Sequence, residues 1–450
     1  MRALLATAPL LLRRRGALAD ILPVIAFTAS TAITATVIGG AAAFVGRMPS
    51  GAGPGTGGEA EIMGALVICA MIASVLLVPS AIGLGGSAAR LSLARRERDL
   101  ATMRLVGGTS GQVGSVAVLD VAAQALLGGV LGIGVHVAVT PALTRLDFGI
   151  TPFTTADLLM PWWAYPLLVL GLVLLAVGSA AVSLTGVVLS PLGVARDSRV
   201  VRMSVIRVIL WAALIVGFFA FMQIGPALLG QSGSIGAALA IMVLFIGAIV
   251  AGVNVVGPFI VWIAALALAR LAPTPSLLVG ARRLAADPRA GWRAVSGITF
   301  ALVIAGFLTV LSLLSQTASP EEQMLMTAMF TGGILTLGIA AVLAAVSTGV
   351  TQTARVIDQA PTLRAQHIAG AEVGQLHRAR IAEISVPVAL SSILATGTAL
   401  MVVSAVFGGA PNNPMGAVQY VLCVLGAYAL VIAAVLVASP LVRRYALRAV

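Results

Sequence analysis

Residues 90–113 read RLSLARRERDLATMRLVGGTSGQV, a charged, helix-forming strip set between two hydrophobic runs that are each long enough to cross a bilayer. A weaker copy, TARVIDQAPTLRAQHIAGAEVGQL, occupies residues 353–376. Both copies close on Gly-x-x-x-Gly-Gln followed by an apolar residue, and an acid, Asp120 or Glu383, stands eight residues beyond the glutamine. At one fixed offset Leu100 aligns with Leu363, Gly107 with Gly370, Gly111 with Gly374 and Gln112 with Gln375. An internal repeat of this kind predicts a molecule with two matched halves.

Hydrophobic residues make up 60% of the chain and charged residues 9%, with a mean hydropathy of +1.08. Soluble domains carry roughly 25% charged residues, so the composition predicts an all-α, polytopic membrane protein. The 27 basic side chains are all arginine. Without a lysine there is no Walker A motif, and the chain itself cannot bind and hydrolyse ATP through a P-loop.

A membrane helix needs about 20 mainly apolar residues. Ten such runs are present, near 21–45, 62–86, 113–139, 162–189, 205–224, 235–268, 298–314, 326–350, 384–406 and 418–441. With the N-terminus in the cytoplasm, every arginine except Arg47 and Arg145 falls inside, while Glu59, Glu61, Asp147, Asp157, Glu321 and Glu322 fall outside. The opposite orientation violates the positive-inside rule in nearly every loop. Each strip then lies between the second and third spans of a four-span block, giving a 4+2+4 arrangement: a first repeat over 1–200, a two-helix linker over 201–270 and a second repeat over 271–450. Two spans separate the blocks, so the halves enter the membrane with the same polarity, related by a parallel pseudo-twofold axis.

The first run exceeds the 7–15 apolar residues of a signal peptide and reads as an anchor, preceded by an interfacial helix over 1–12. The outer connections are short and the Gly-rich one, 49–58, reads as flexible, whereas basic inner linkers at 190–202 and 271–293 are secondary docking candidates. Cys69 and Cys423 both fall in hydrophobic runs and read as small buried apolar residues. No constellation of catalytic residues or metal ligands is visible, so neither a cofactor nor a metal is expected, and no nucleic-acid partner. Asp120 and Glu383, inside or at the edge of spans, must face protein or water. They read either as polar contacts between helices or as a proton site, with Gln124, one turn beyond Asp120, sharing its hydrogen bonds. His136 reads as a packing residue. Gly332, Gly333 and Gly338 predict close helix packing in the eighth span. Asn254, Gly257 and Pro258 interrupt the sixth run and read as a packing kink or a hinge.

The sequence RRERDLATMRLVGGTSGQV with an acid in the next span resembles the FtsX-like permease domain of MacB-type ABC transporters, and the 4+2+4 layout resembles its BceB-like ten-span branch. The resemblance runs over essentially the whole chain, strongly in the first repeat and weakly in the second, where Asp358, Gln359, Ala360 and Pro361 replace Arg95, Arg96, Glu97 and Arg98. It implies that each strip is a coupling helix docking on a separate ATPase subunit, two copies per chain. The implied docking residues are Arg95, Arg96, Glu97, Arg98, Asp99, Arg104 and Gly107 in the first strip, and Arg364, His367 and Gly370 in the second. Arg95 and Asp99 have the i,i+4 spacing that supports an exposed helix. Gly107 and Gly108 are placed to end it. The alternative for the strips is a basic anchor on anionic lipid.

These features predict a permease subunit in a bacterial cell membrane, with both termini cytoplasmic and a hydrophobic or amphipathic peptide or lipid as substrate, antimicrobial peptides among the candidates. Two rivals follow from the same residues: a proton-coupled secondary transporter using Asp120 and Glu383, and a signalling scaffold that transports nothing.

Overall fold

A computed structural model describes residues 17–47, 59–148, 150–188, 205–229, 235–289 and 320–407, with separate positions between 291 and 302 and between 418 and 433. The chain is all-helical: among the described residues there is no strand. The helices are α1 (Ala17–Gly46), α2 (Glu59–Leu105), α3 (Ser110–Leu143), the short α4 (Thr155–Leu158), α5 (Ala164–Val188), α6 (Val205–Leu229), α7 (Ile235–Leu271), α8 (Pro275–Ala286), α9 (Pro320–Asp358), α10 (Ala360–Ile368) and α11 (Val373–Phe407).

Six stretches among the described residues are long and apolar enough to cross a membrane: Ile21–Gly46, Cys69–Leu93, Gly111–Leu143, Ala164–Val182, Phe330–Thr353 and Gly374–Thr398. They coincide with the first four, the eighth and the ninth hydrophobic runs. The fifth and sixth runs form α6 and α7, which carry shorter apolar stretches, Val205–Phe221 and Val255–Leu271. Most of the runs at 298–314 and 418–441, Cys423, the segment 1–12, the Gly-rich connection and the linker at 190–202 lie outside the described residues. Helix is the form such runs take in lipid because it satisfies every backbone polar group within the segment. The same constraint tolerates Pro23, Pro79, Pro141, Pro258 and Pro387 inside helices.

Two compact units form. The first comprises Met1–Ala35, Ala81–Ala138 and Pro161–Asp197; the second comprises Thr36–Ser80, Val139–Met160 and Ser198–Val450. Within the first, α3 approaches α1 at Gly128 and Gly132. A Cβ on Gly132 would stand 2.6 Å from the Thr31 Cβ and 2.7 Å from the Thr28 carbonyl oxygen, and one on Gly128 would stand 2.4 Å from the Phe27 Cβ. This Gly-x-x-x-Gly pair lets two backbones meet without intervening side chains, the usual device where lipid supplies no hydrophobic force between helices. Ser30 strengthens the bundle by donating its hydroxyl to the Ala81 carbonyl at 2.6 Å. Leu167, Leu170 and Leu174 stand exposed at helical spacing along α5, a stripe that belongs against acyl chains. Trp162 and Trp163 precede it, where interfacial aromatics anchor a span.

The close packing expected of Gly332, Gly333 and Gly338 in the eighth span is not seen at Gly332 or Gly338 among the described residues. Among the described residues nothing lies within 4 Å of a Cβ position at Gly338, and Gly332 makes only an ordinary 3.8 Å contact with Phe148, so neither shows a close approach to a described neighbour. Tight glycines lie instead on α3, α7 and α8. On α7 a Cβ at Gly257 would stand 2.1 Å from the Trp292 ring, and one at Gly252 an equal distance from the Trp211 ring. Trp211 Nε1 also donates to the Ile249 carbonyl at 3.0 Å. Gly257 therefore makes room for an indole, and α7 runs through Pro258 as one helix. Trp292, only 1% exposed, centres a core with Val253, Val261, Leu284, Ile384 and Val388.

Elsewhere in the second unit, Phe44, Phe148 and Phe153 pack edge to face with centroids 5.0–5.8 Å apart. Arg47, just past the end of α1, lies over the Phe153 ring at 4.1 Å and pairs with Asp157 at 2.6 Å. It also donates to the Pro152 carbonyl at 3.0 Å. Asp157 completes a capping box with Thr154, and the Thr154 backbone N–H followed by the Arg47 guanidinium holds its carboxyl below the ordinary carboxylate value. A lowered folded value means that the contribution of Asp157 is present above its unfolded pKa of about 3.9 and is lost as pH falls through the lower, folded one. The melting temperature of Asp157→Asn relative to the parent is therefore expected to be lower by a constant, small margin at neutral pH. That margin closes only below about pH 4.

Candidate functional site

The first strip is not a separate element. The 47 residues of α2 form one helix from Glu59 to Leu105, so the strip is a direct extension of the second span, rooted by Ser92 and Leu93, both buried. Nothing in SAARLSLARRERDLATMRL breaks a helix, and its Ala, Leu, Arg and Glu residues favour one. Arg90 Nη1 donates to Ser179 Oγ at 3.4 Å, tying the root of the strip to α5. Arg95, Arg96, Glu97, Arg98, Asp99 and Arg104 all lie on this helical backbone, and their side chains are outside the described residues.

The second strip differs in one respect. Span helix α9 ends at Asp358, the chain turns at Gln359, and α10 starts afresh with Pro361 in its first turn. Proline has no N–H to give the carbonyl four residues earlier and its ring crowds that carbonyl, which favours the break observed at Gln359, although other helices of this chain run through a proline. Where Arg98 extends the lever in the first repeat, Pro361 cuts it in the second. The broken strip is tied elsewhere: Arg283 Nη2 on α8 donates to Gln366 Oε1 at 2.7 Å. Helix α8 begins at an N-cap Thr274 with proline at its first position and packs against α7 and α11. At Gly280 it approaches α11 so closely that a Cβ would stand 2.8 Å from the Ala379 carbonyl oxygen.

At their far ends the two strips converge on one geometry. Gly107 (φ 103°) and Gly370 (φ 99°) both take the left-handed conformation that glycine tolerates without strain. The N–H of Gly108 donates to the Met103 carbonyl at 2.9 Å, and that of Ala371 to the Gln366 carbonyl at 2.9 Å, the Schellman closure of a helix C-terminus. The next helix then begins three residues after each glycine. Gln112 Oε1 accepts from the Thr109 N–H at 3.1 Å while Thr109 Oγ1 accepts from the Gln112 N–H at 3.4 Å. Gln375 Oε1 accepts from the Glu372 N–H at 3.3 Å. The repeated glutamine is thus the reach-back residue of a capping box, complete in the first copy and half made in the second. Sequence reading found the glutamine but not this reason for it. Arg364 is half-buried, and His367 Nδ1 lies 3.0 Å from the Ala371 carbonyl, bracing the turn around Gly370.

The two acids occupy different surroundings. Gln124 Nε2 donates to Asp120 Oδ2 at 2.8 Å, so one partner of the acid is on its own helix one turn away. Glu383 is buried, on the stretch of α11 against which Gly280 packs. One turn before it lies Arg380, 4% exposed, whose Nη2 donates to the Gln352 carbonyl and side-chain oxygens at 3.3 and 3.4 Å. Arg380 stands four residues before the ninth apolar run, where the sequence gives no sign that it is buried. His136 is buried beside Tyr165, with ring centroids 6.0 Å apart, as a packing residue. Among the described residues no three of His, Cys, Asp and Glu cluster as metal ligands.

Comparison with known families adds one finding. Residues 63–188 match the family model described as FtsX-like permease C-terminal, a region that takes in the second to fourth spans and the whole first strip. The second strip lies outside the match. No curated protein matches the chain. The apolar helices support a membrane protein, and over 63–188 the chain is similar to the FtsX-like permeases, a family of membrane components of ABC transporters that is associated with ABC ATPase partners.

Proposed function

We propose that this chain is a permease subunit that couples ATP hydrolysis by a separate ATPase, bound as two copies beneath it, to movement or release of a hydrophobic or amphipathic peptide or lipid. The observation that carries the reading is the pair of strips that end in the same left-handed glycine turn and the same glutamine-capped helix start. A strip that continues from a span as one helix, as in α2, carries a push at its far end toward the membrane. The second strip, cut at Gln359 and tied to α8, carries it through a short helix. In this reading ten spans form the 4+2+4 arrangement, with permease repeats over 1–200 and 271–450 joined by 201–270, and both termini are cytoplasmic. The short outer connections favour a substrate taken from the bilayer, antimicrobial peptides included.

Replacing Arg95, Arg96 and Arg98 with glutamate tests it. The variant is expected to lose the ATPase copy on the first strip, about one copy of two, when the permease is co-expressed and purified with an ABC ATPase that the parent chain retains. Unchanged stoichiometry contradicts the docking assignment.

A further inference from the structure

We propose that the residue two positions before each left-handed glycine, Leu105 in the first strip and Ile368 in the second, is the apolar anchor by which both strips hold identical ATPase copies. The proposal rests on the coupled-permease reading and deepens it by naming the recognising group and the kind of surface it enters.

Two identical partners must recognise what the two strips share, and the charges are not shared. Arg95, Arg96 and Arg98 stand where the second strip has Asp358, Gln359 and Pro361. What recurs is the closed turn and the side chain that it displays. Leu105 is 87% exposed and Ile368 76%, at matched positions. From there the order of exposure is the same: the next two residues are exposed, the fourth is half-buried, the fifth is exposed, and Val113 and Leu376 are buried. Each strip therefore ends in one large apolar side chain held out on a fixed backbone, the form a binding anchor takes.

The acid beside the second tip favours a protein socket over the inner leaflet, and identical partners carry that preference to the first. Exposed Thr109 and Gln112 flank the first tip, and exposed Glu372, an acid that anionic headgroups repel, lies four residues past Ile368. The partner's chemistry follows: a soluble ATPase surface with an apolar socket deep enough for Leu or Ile, rimmed by carboxylates that complement the arginines of the first strip. Because the second strip lacks those arginines, affinity at the first strip falls with salt and affinity at the second barely changes. Val106, 89% exposed where the second strip has Ala369, adds apolar surface to the first site only.

The test measures binding of an ABC ATPase, recovered by co-purification with the parent chain, to the full-length permease in nanodiscs. Leu105→Asp and Ile368→Asp are each expected to weaken one of the two sites about thirtyfold or more, and together to abolish binding. Leu105→Met with Ile368→Leu should bind as the parent does. Both side chains are solvent-exposed, so elution profile and melting temperature should stay unchanged. If either aspartate variant proves unstable, graded loss in Leu105→Ala and Ile368→Ala carries the test. A parent chain that binds no ATPase defeats the coupled-permease reading itself. Full binding by the double aspartate variant overturns the anchors and leaves that reading standing. Quenching by brominated lipid of a fluorophore on Leu105→Cys also overturns the proposal, since it places the tip in the leaflet.

Discussion

Gly132→Leu is expected to leave almost no folded protein. A Cβ at this position already falls 2.6 Å from the Thr31 Cβ and 2.7 Å from the Thr28 carbonyl oxygen. The obstruction includes backbone, so no rotamer change relieves it and α3 must move away from α1. Overpacking in an interior costs about 1–3 kcal/mol where side chains can yield; here it also separates two spans and the contacts their approach permits. The yield of monodisperse protein in detergent, read by fluorescence-detected gel filtration, should fall by most of its parental value. Gly134, two residues on, is the internal control. Nothing lies within 4 Å of its Cβ position, and Gly134→Ala is expected to be neutral or to stabilise by about 0.5–1 kcal/mol, the backbone entropy that glycine forfeits in a helix.

Replacing both turn glycines, Gly107→Val and Gly370→Val, should leave the spans folded and uncouple them from the ATPase. A non-glycine residue in the left-handed region costs about 1–2 kcal/mol, and a β-branched one more, which favours opening each Schellman turn by roughly tenfold. The strip then loses its fixed angle to α3 or α11. Permease-stimulated ATP hydrolysis in proteoliposomes is expected to drop about tenfold or more in the double variant. Gly107→Asn with Gly370→Asn should retain most of it, since asparagine enters this region at low cost. Equal activity in the valine and asparagine variants would mean that the turns do not transmit force.

The features that sequence alone made legible are local ones. Hydrophobic run length gave the helices, and a glycine pair after a charged strip gave the end of α2 at Leu105, because both are properties of neighbouring residues. Asp120 and Gln124, one helical turn apart, were readable as a pair for the same reason. Features that depend on distant residues were not. Gly128 and Gly132 sit in an unremarked LLGGVLG run, and only the approach of α1 distinguishes them from Gly332 and Gly338, which looked equally suited. The contact of Arg283 with Gln366 spans 83 residues, and that of Arg47 with Asp157 spans 110. Pro361 was visible as a departure from the first repeat, but its consequence, a lever cut from its span, needed the backbone rule to be applied at that position. The reach-back role of Gln112 and Gln375 was within reach too, since Thr-x-x-Gln before an apolar run is a capping box.

Placement of the strips is the claim on which the account turns, and labelling from one side of the membrane tests it most directly. Thr102 and Ala365 are exposed and occupy matched positions on the two strips. Thr102→Cys and Ala365→Cys, each made with Cys69 and Cys423 replaced by serine, can be treated with a membrane-impermeant maleimide in inside-out and right-side-out vesicles. Both cysteines should react only from the cytoplasmic face, and bound ATPase should protect them. Labelling of either from the outer face, or equal labelling with and without the ATPase, would contradict the account.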